Sequence, residues 1–202
     1  MKILEFTQAP NPRRVRVFLA EKGLQVPFEQ VNLGTADNRK PEFLKINPMG
    51  GVPVLQLDDG TYIAESVAVC RYFEDVKPEP NLMGRDAKEK AVIEMWNRRM
   101  EFEILMMTAG SFRNTSDFFK GRIPQVPEYG KVCKEAALKR LEWLDGELAN
   151  RKFIAGDRYT IADITALIGI DFGRTTGIKI GDNQKNLARW HAEVSSRPSA
   201  KA

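Results

Sequence analysis

The apolar positions of this chain change period along its length. Lys2 to Phe6 reads as a short strand, and Val15, Phe18 and Leu19 then recur at helical spacing, so strand, loop and helix follow in that order. Phe28 to Leu33 predicts a second strand, and the strand, crossover helix and strand together predict a right-handed βαβ unit with parallel strands. Pro41-Glu42-Phe43-Leu44 gives a short helical turn. Val54 to Leu57 and Thr61 to Ala64 are two strand-like runs parted by Asp58-Asp59-Gly60, residues that tolerate positive φ, which predicts a tight hairpin. Glu65-Ser66 then opens a helix running through Val69, Cys70, Tyr72 and Phe73, stopped before Lys77-Pro78-Glu79-Pro80.

Past that proline-rich stretch the pattern is helical throughout. Val92, Trp96, Met100 and Met107 predict one long helix from Asp86 to Ala109, ended by Gly110. Val132, Ala136, Leu141, Leu144 and Leu148 mark another from Pro127 to Leu148, and Asn186 to Ser195 forms a last one. Thr160 followed three residues later by Asp163 is a capping-box pattern, with Tyr159 and Ile164 spaced for a hydrophobic staple; its role is structural. These shifts divide the chain into a mixed α/β domain over residues 1–77 and an all-helical domain over 86–202, joined by a linker ending near Arg85.

With 202 residues there is enough chain for a sizeable core. No apolar run is long enough to cross a bilayer, and no secretory signal precedes Ile3, so no membrane association is expected. The net charge of +4 comes from interspersed residues, which gives no footprint for nucleic acid and suits small anionic ligands. Cys70 and Cys133 lie in separate helices and form no Cys-x-x-Cys pair, which fits a reducing, cytoplasmic setting. No cluster of metal-ligand residues is present, and His191 stands alone beside Trp190, packed or solvated rather than ligating.

The chemistry concentrates between Asn47 and Ser66. Gly50-Gly51 release the backbone before Val52-Pro53, and Pro53 has no N–H for a ladder, so it marks a strand start or an edge. With a cis Val52-Pro53 bond, the N–H and C=O of Val52 face outward and pair with an extended ligand, as in strand addition. The Ser66 hydroxyl and the free N–H groups of its helix suit a carboxylate, and Glu65 suits an ammonium; together they fit a zwitterion. Ser66 has a second use, as a simple helix cap.

The run Asn-Pro-x-Gly-x-Val-Pro-x-Leu, a hairpin, then Glu-Ser before a helix, resembles the glutathione-binding half of cytosolic glutathione S-transferases. The Thr160-Ile-Ala-Asp163 motif and the amino-terminal strand and helix match in order, so the resemblance covers nearly the whole chain. It implies a thioredoxin-like domain followed by an all-helical domain, with glutathione as co-substrate along the first. It implies too a small-molecule electrophile or disulfide as second substrate, a role in detoxification, and a homodimer. Val52 and Pro53, with Glu65 and Ser66, would hold glutathione. Asn38 and Arg39, with Lys40 as a substitute, stand where the family holds the glycyl carboxylate; the family's frequent basic or polar side chain at the Gly50-Gly51 position is missing. Arg99, Glu103 and Met107 would lie near the second substrate.

One departure is plain. In the family, the loop after the first strand carries a Tyr, Ser or Cys that contacts the glutathione sulfur, whereas here none of these occurs between Met1 and Lys40, and Ala9 falls near the usual Ser position. Asn11 is the best remaining donor, with Thr7 behind it. Asn11 is also the expected N-cap, with Pro12 in the first turn, and the two roles are compatible. Its task is modest, because the nucleophile belongs to glutathione: a free thiol has a pKa of about 8.5, and a helix N-terminus with one or two hydrogen bonds lowers it. A subset of bacterial members resembles this loop, with Asn or Thr in place of Ser, and some of those favour disulfide reduction over conjugation. A non-catalytic binding module is the remaining alternative. Arg13, Arg14 and Arg16 oppose the dipole of that first helix unless an anion lies near; a solvated basic face is the default for Arg14 and Arg16. Glu101 and Glu103 read as solvent-exposed partners of Lys or Arg rather than general acids.

Overall fold

The computed structural model describes residues 1–202. It divides into one unit over Met1–Asn81, joined by the last two residues, and a second over Leu82–Ala200.

In the first unit, β1 (Lys2–Glu5), β2 (Phe28–Gln30), β3 (Val54–Gln56) and β4 (Tyr62–Ala64) form a four-stranded sheet of order β2-β1-β3-β4. β1 and β2 are parallel, with α1 (Pro10–Lys22) as their crossover, α2 (Pro41–Ile46) follows β2, and β3 and β4 make the antiparallel hairpin. This mixed sheet with its helices is the thioredoxin-like fold. Side chains alternate across β1. Leu4 packs with Val31, Phe43 and Val54 on one face, while Ile3 and Glu5 project to the other. The second strand is shorter than the sequence predicts. It is the edge strand, and beyond Gln30 the Asn32 side chain accepts from the N–H of Gly34 (2.8 Å) and so favours a turn over further ladder.

The start of α1 also differs from expectation. The N-cap is Ala9, which makes no side-chain cap bond, and Pro10 rather than Pro12 takes the first helical position; Asn11 sits inside the first turn. Nor do Arg14 and Arg16 form a solvated face. Arg14 is fully buried, and Arg16 pairs with buried Glu5 at 2.5 Å. Sequence-distant partners decide this, since a charge is buried only where charge and hydrogen bonds are returned to it.

α1 packs on α3 (Ser66–Val76), and buried Lys22 is held there by Glu74 and by the carbonyls of Lys77 (2.9 Å), Pro78 (3.2 Å) and Pro80 (2.7 Å). Cys70 lies in the same interface, fully buried. Desolvation pushes its thiol up to about 12, opposed by Arg14 and reinforced by Glu74. Cys133 is buried too. A buried thiol is out of reach of a bulky reagent, so neither cysteine of the native chain should react with an aromatic disulfide reagent, and both should react once denaturant is added. Fast labelling of the native protein would contradict this burial.

The second unit holds α4 (Ala87–Met100), a π-helical turn (Glu101–Leu105), α5 (Met106–Thr115), α6 (Pro127–Glu147), α7 (Ile161–Gly173) and α8 (Lys185–Ser195). The helix predicted to stop at Gly110 runs on to Thr115 through the π turn. Gly110 serves an approach rather than an end: a Cβ there would lie 2.7 Å from the Sγ of Cys133 on α6. At Gly130 on the facing helix a Cβ would meet Thr115 at 2.6 Å, so paired glycines let α5 and α6 pack closely. α7 is buried from Ile161 to Ile170. Its capping box forms as predicted, and the Asp163 carboxylate accepts from the N–H of Ile154 (2.9 Å), the N–H of Thr160 (2.9 Å), the Thr160 hydroxyl (3.2 Å) and Trp190 Nε1 (2.8 Å). Burial pushes this carboxyl up to about 6, and the four donors pull against it.

Candidate functional site

Strand register gathers the candidate residues of the first unit at one end of its sheet. β1 runs out at Glu5 and leads into α1. Leu4 pairs with Val54, which places the start of β3, and Val52-Pro53 before it, beside that exit. Val54 in turn pairs with Ala64, so β4 ends at the same edge and hands over to Glu65-Ser66. Val52, Glu65 and Ser66 therefore lie at the same end of the sheet as the loop that leads from β1 to Asn11, although up to 55 residues separate them (Asn11 to Ser66, 66 − 11).

Each offers specific chemistry there. Val52-Pro53 is cis, and no backbone hydrogen bond outside the regular elements engages Val52, which leaves its N–H and C=O without a main-chain partner. Glu65 is the N-cap of α3 with φ 66°, a conformation that costs a non-glycine residue about 1–3 kcal/mol. It is exposed and makes no side-chain cap bond. Ser66 does not cap the helix either. Its buried hydroxyl accepts from Arg14 Nη1 (2.9 Å), which leaves its own proton to donate. The first N–H paired within α3 is that of Val69, to Glu65 O at 3.0 Å, so the N–H groups of residues 66, 67 and 68 stay open at the positive end of the dipole.

The start of α1 is unusually poor in donors. The first N–H paired in the helix is that of Arg13, to Ala9 O at 3.3 Å. Of the three residues before it, Pro10 and Pro12 have no N–H, so Asn11 alone supplies one, together with an exposed and unbonded side-chain amide. Thr7, the reserve donor of the sequence reading, is spent. Its hydroxyl lies 3.1 Å from Glu5 Oε1 and 2.9 Å from Gln30 Oε1, and its N–H donates to Gln30 Oε1 (3.1 Å).

Asn38 and Arg39 stand beside the loop that leads into Val52. The amide of Asn38 donates to Gly50 O (2.7 Å), and a Cβ on Gly50 (φ 65°) would meet the Arg39 guanidinium at 2.9 Å. The glycine thus makes room for Arg39, and Asn38 braces the turn. Lys40 instead pairs with Asp37 at 2.7 Å. Two contributors escaped the sequence reading. Asn47 is buried and donates to Gly51 O (2.9 Å) while accepting from the N–H of Met49 (3.2 Å), a bracing signalled only by its position before Pro48. Arg14 carried no signal separating it from its two arginine neighbours.

The second unit keeps Arg99, Glu103 and Met107 on the helix that contains the π turn. Arg99 is exposed, with its guanidinium 4.8 Å from the Trp96 ring, which also stacks on Trp143 and carries the Arg151 guanidinium at 4.5 Å. Glu103 pairs with Arg140 of α6 at 2.6 Å and Glu101 with Arg98 at 2.5 Å, the structural partnerships expected of them. Met107 is half-buried. Phe112, Phe118, Phe119 and Phe172 form an aromatic cluster, with Phe112 and Phe172 at 5.0 Å. His191 pairs with Asp171 at 2.9 Å.

Comparison with known proteins now decides the family. The model of the glutathione S-transferase N-terminal domain matches residues 9–76, and that of the C-terminal domain matches residues 96–198. The chain belongs to the glutathione S-transferase family. Glutathione S-transferase 2 of Saccharomyces cerevisiae is 36% identical over 205 residues, spanning 100% of this chain and 88% of the yeast protein. The crystal structure of Gtt2 from the same yeast superposes with a TM-score of 0.95 at 36% identity, covering 100% of this chain and 99% of that one. A glutathione S-transferase domain-containing protein from Marinobacter aquaeolei VT8 gives a TM-score of 0.95 at 38% identity, with 98% and 99% covered. The two family domains agree with the thioredoxin-like and helical units seen in the structure.

Proposed function

We propose that this transferase binds glutathione along Val52, with Pro53 fixing the strand start, and uses the glutathione thiolate to attack a small electrophile. The observation that carries the proposal is the convergence at one end of the sheet of an open Val52 backbone, an exposed Glu65, a buried Ser66 backed by Arg14, and the loop that leads to the lone donor set of Asn11. In it, the γ-glutamyl carboxylate rests on Ser66 and the open N–H groups of α3, and its ammonium on Glu65. Arg39, with Asn38 steadying the turn, takes the glycyl carboxylate. The sulfur meets the start of α1, where the Asn11 amide and N–H stabilise the thiolate without giving up a proton.

The electrophile is drawn to the second unit, with Arg99, Glu103 and Met107 as contacts; the π turn among them supports a site, since such turns collect at functional positions. Family membership further supports a homodimeric, cytoplasmic, detoxifying enzyme. Disulfide reduction is the competing chemistry, favoured by the missing Ser, Tyr and Cys, and a non-catalytic binding module is the third possibility.

Calorimetry with glutathione, followed by a chromogenic conjugation assay and a disulfide-reductase assay, separates the three. Conjugation should exceed disulfide turnover. Binding without turnover in either assay would leave only the binding module. Asn11→Ala should raise the pKa of the bound thiol and lower turnover roughly tenfold at neutral pH. An unchanged ultraviolet thiolate titration would remove Asn11 from the mechanism.

A further inference from the structure

Three residues outside the ligand edge converge on the loop that delivers Asn11. Glu5 is the last residue of β1, and its side chain is 3% exposed. Its carboxylate accepts from Arg16 Nη1 (2.5 Å), Gln30 Nε2 (2.9 Å) and the Thr7 hydroxyl (3.1 Å). Arg16 also donates through Nη2 to Thr7 O (2.8 Å), and Gln30 Oε1 accepts the Thr7 N–H. Every polar group of Thr7 is therefore held: N–H by Gln30, carbonyl by Arg16, hydroxyl by Glu5 and Gln30. The next turn closes as Ala9 N–H donates to Phe6 O (2.9 Å), and the helix begins one residue later.

A buried ion pair is weak support for stability alone, because apolar residues of similar volume fill such a space at no greater cost. What this pair adds is direction. Both partners spend hydrogen bonds on one loop residue, four positions before Asn11. Building on the proposed glutathione site, we infer that Glu5, Arg16 and Gln30 are positioning residues for the thiolate site, fixing Thr7 and through it the placement of the Asn11 donors. They touch neither glutathione nor the electrophile.

The test separates the sulfur from the rest of the ligand. S-methylglutathione uses Val52, Glu65 and Ser66 but presents no thiol, so its dissociation constant, read by calorimetry, reports that edge alone. Arg16→Met and Gln30→Ala should leave that constant within about twofold of wild type, while bound glutathione shows a thiol pKa raised by about half a unit or more and turnover falls roughly tenfold. Gln30→Ala is the decisive variant. It changes no charge, so a raised thiol pKa there reflects placement, and Gln30 is exposed on the edge strand, so its loss leaves the fold standing even if Arg16→Met does not. A Gln30→Ala protein with wild-type thiol pKa and turnover would overturn the inference. So would a loss of S-methylglutathione affinity in step with the thiol shift, since the cluster would then support the whole edge. Failure of the underlying function looks different: wild type itself would bind no glutathione, or bind it with an unshifted thiol.

Discussion

Asp163→Ala should lower the unfolding free energy by about 3–5 kcal/mol, the scale of removing one partner from a buried charged network. The carboxylate is fully buried and is the common acceptor for Ile154, Thr160 and Trp190. Alanine would strand two backbone N–H groups and an indole N–H in a fully buried site, at about 1–3 kcal/mol for each group left unsatisfied. It would also open the capping box that begins the most buried helix of the chain. Asparagine recovers only part of this, because it keeps the volume but offers one oxygen and turns an NH2 toward groups that are themselves donors. Urea unfolding of the two variants beside wild type checks the order, with alanine below asparagine below wild type. A midpoint for Asp163→Ala equal to wild type would show that the network is dispensable.

The second large effect belongs to the ligand edge. Ser66→Ala should weaken glutathione binding by about 2 kcal/mol, some thirtyfold, the scale of a hydrogen bond to a charged group. Arg14 fills a lone pair of the Ser66 hydroxyl from the buried side, so the hydroxyl proton is directed to an acceptor and discriminates for a carboxylate. The variant removes that donor and also takes from a buried guanidinium one of its acceptors. Titration calorimetry with glutathione reads the loss directly, and circular dichroism confirms the fold. Ser66→Ala binding as tightly as wild type would assign the carboxylate to the open N–H groups of α3 alone.

Much of the fold is written in local signals. Asp58-Asp59-Gly60 announced the hairpin because an Asp side chain can close its own turn, and Asp59 does so by accepting from the N–H of Thr61 (2.9 Å). The capping box at Thr160 and Asp163 was legible for the same reason: both halves of the interaction lie within one helical turn. Ambiguity entered where two residues fitted one role. Pro10 and Pro12 each suit a first helical turn, and choosing the later one moved the predicted cap from Ala9 to Asn11.

What stayed hidden depends on partners far along the chain. Arg14 looked like one of three equivalent arginines because its acceptor, Ser66, lies 52 residues away. Gly110 looked like a helix stop because the sequence does not reveal that the Cys133 sulfur occupies the space of its missing Cβ. The ligand edge was legible as separate motifs at Val52-Pro53 and Glu65-Ser66. Their meeting with α1 required the register of β1, β3 and β4.

The central claim is that glutathione lies as an added strand against Val52 with its sulfur at the start of α1. A crystal of this protein grown with glutathione and examined by X-ray diffraction tests it most directly. The account predicts main-chain hydrogen bonds between the cysteinyl unit of glutathione and Val52, and the sulfur within hydrogen-bond distance of the Asn11 amide or N–H. Glutathione bound with its sulfur away from Asn11, or at an edge other than the one shared by Val52 and Ser66, would contradict it.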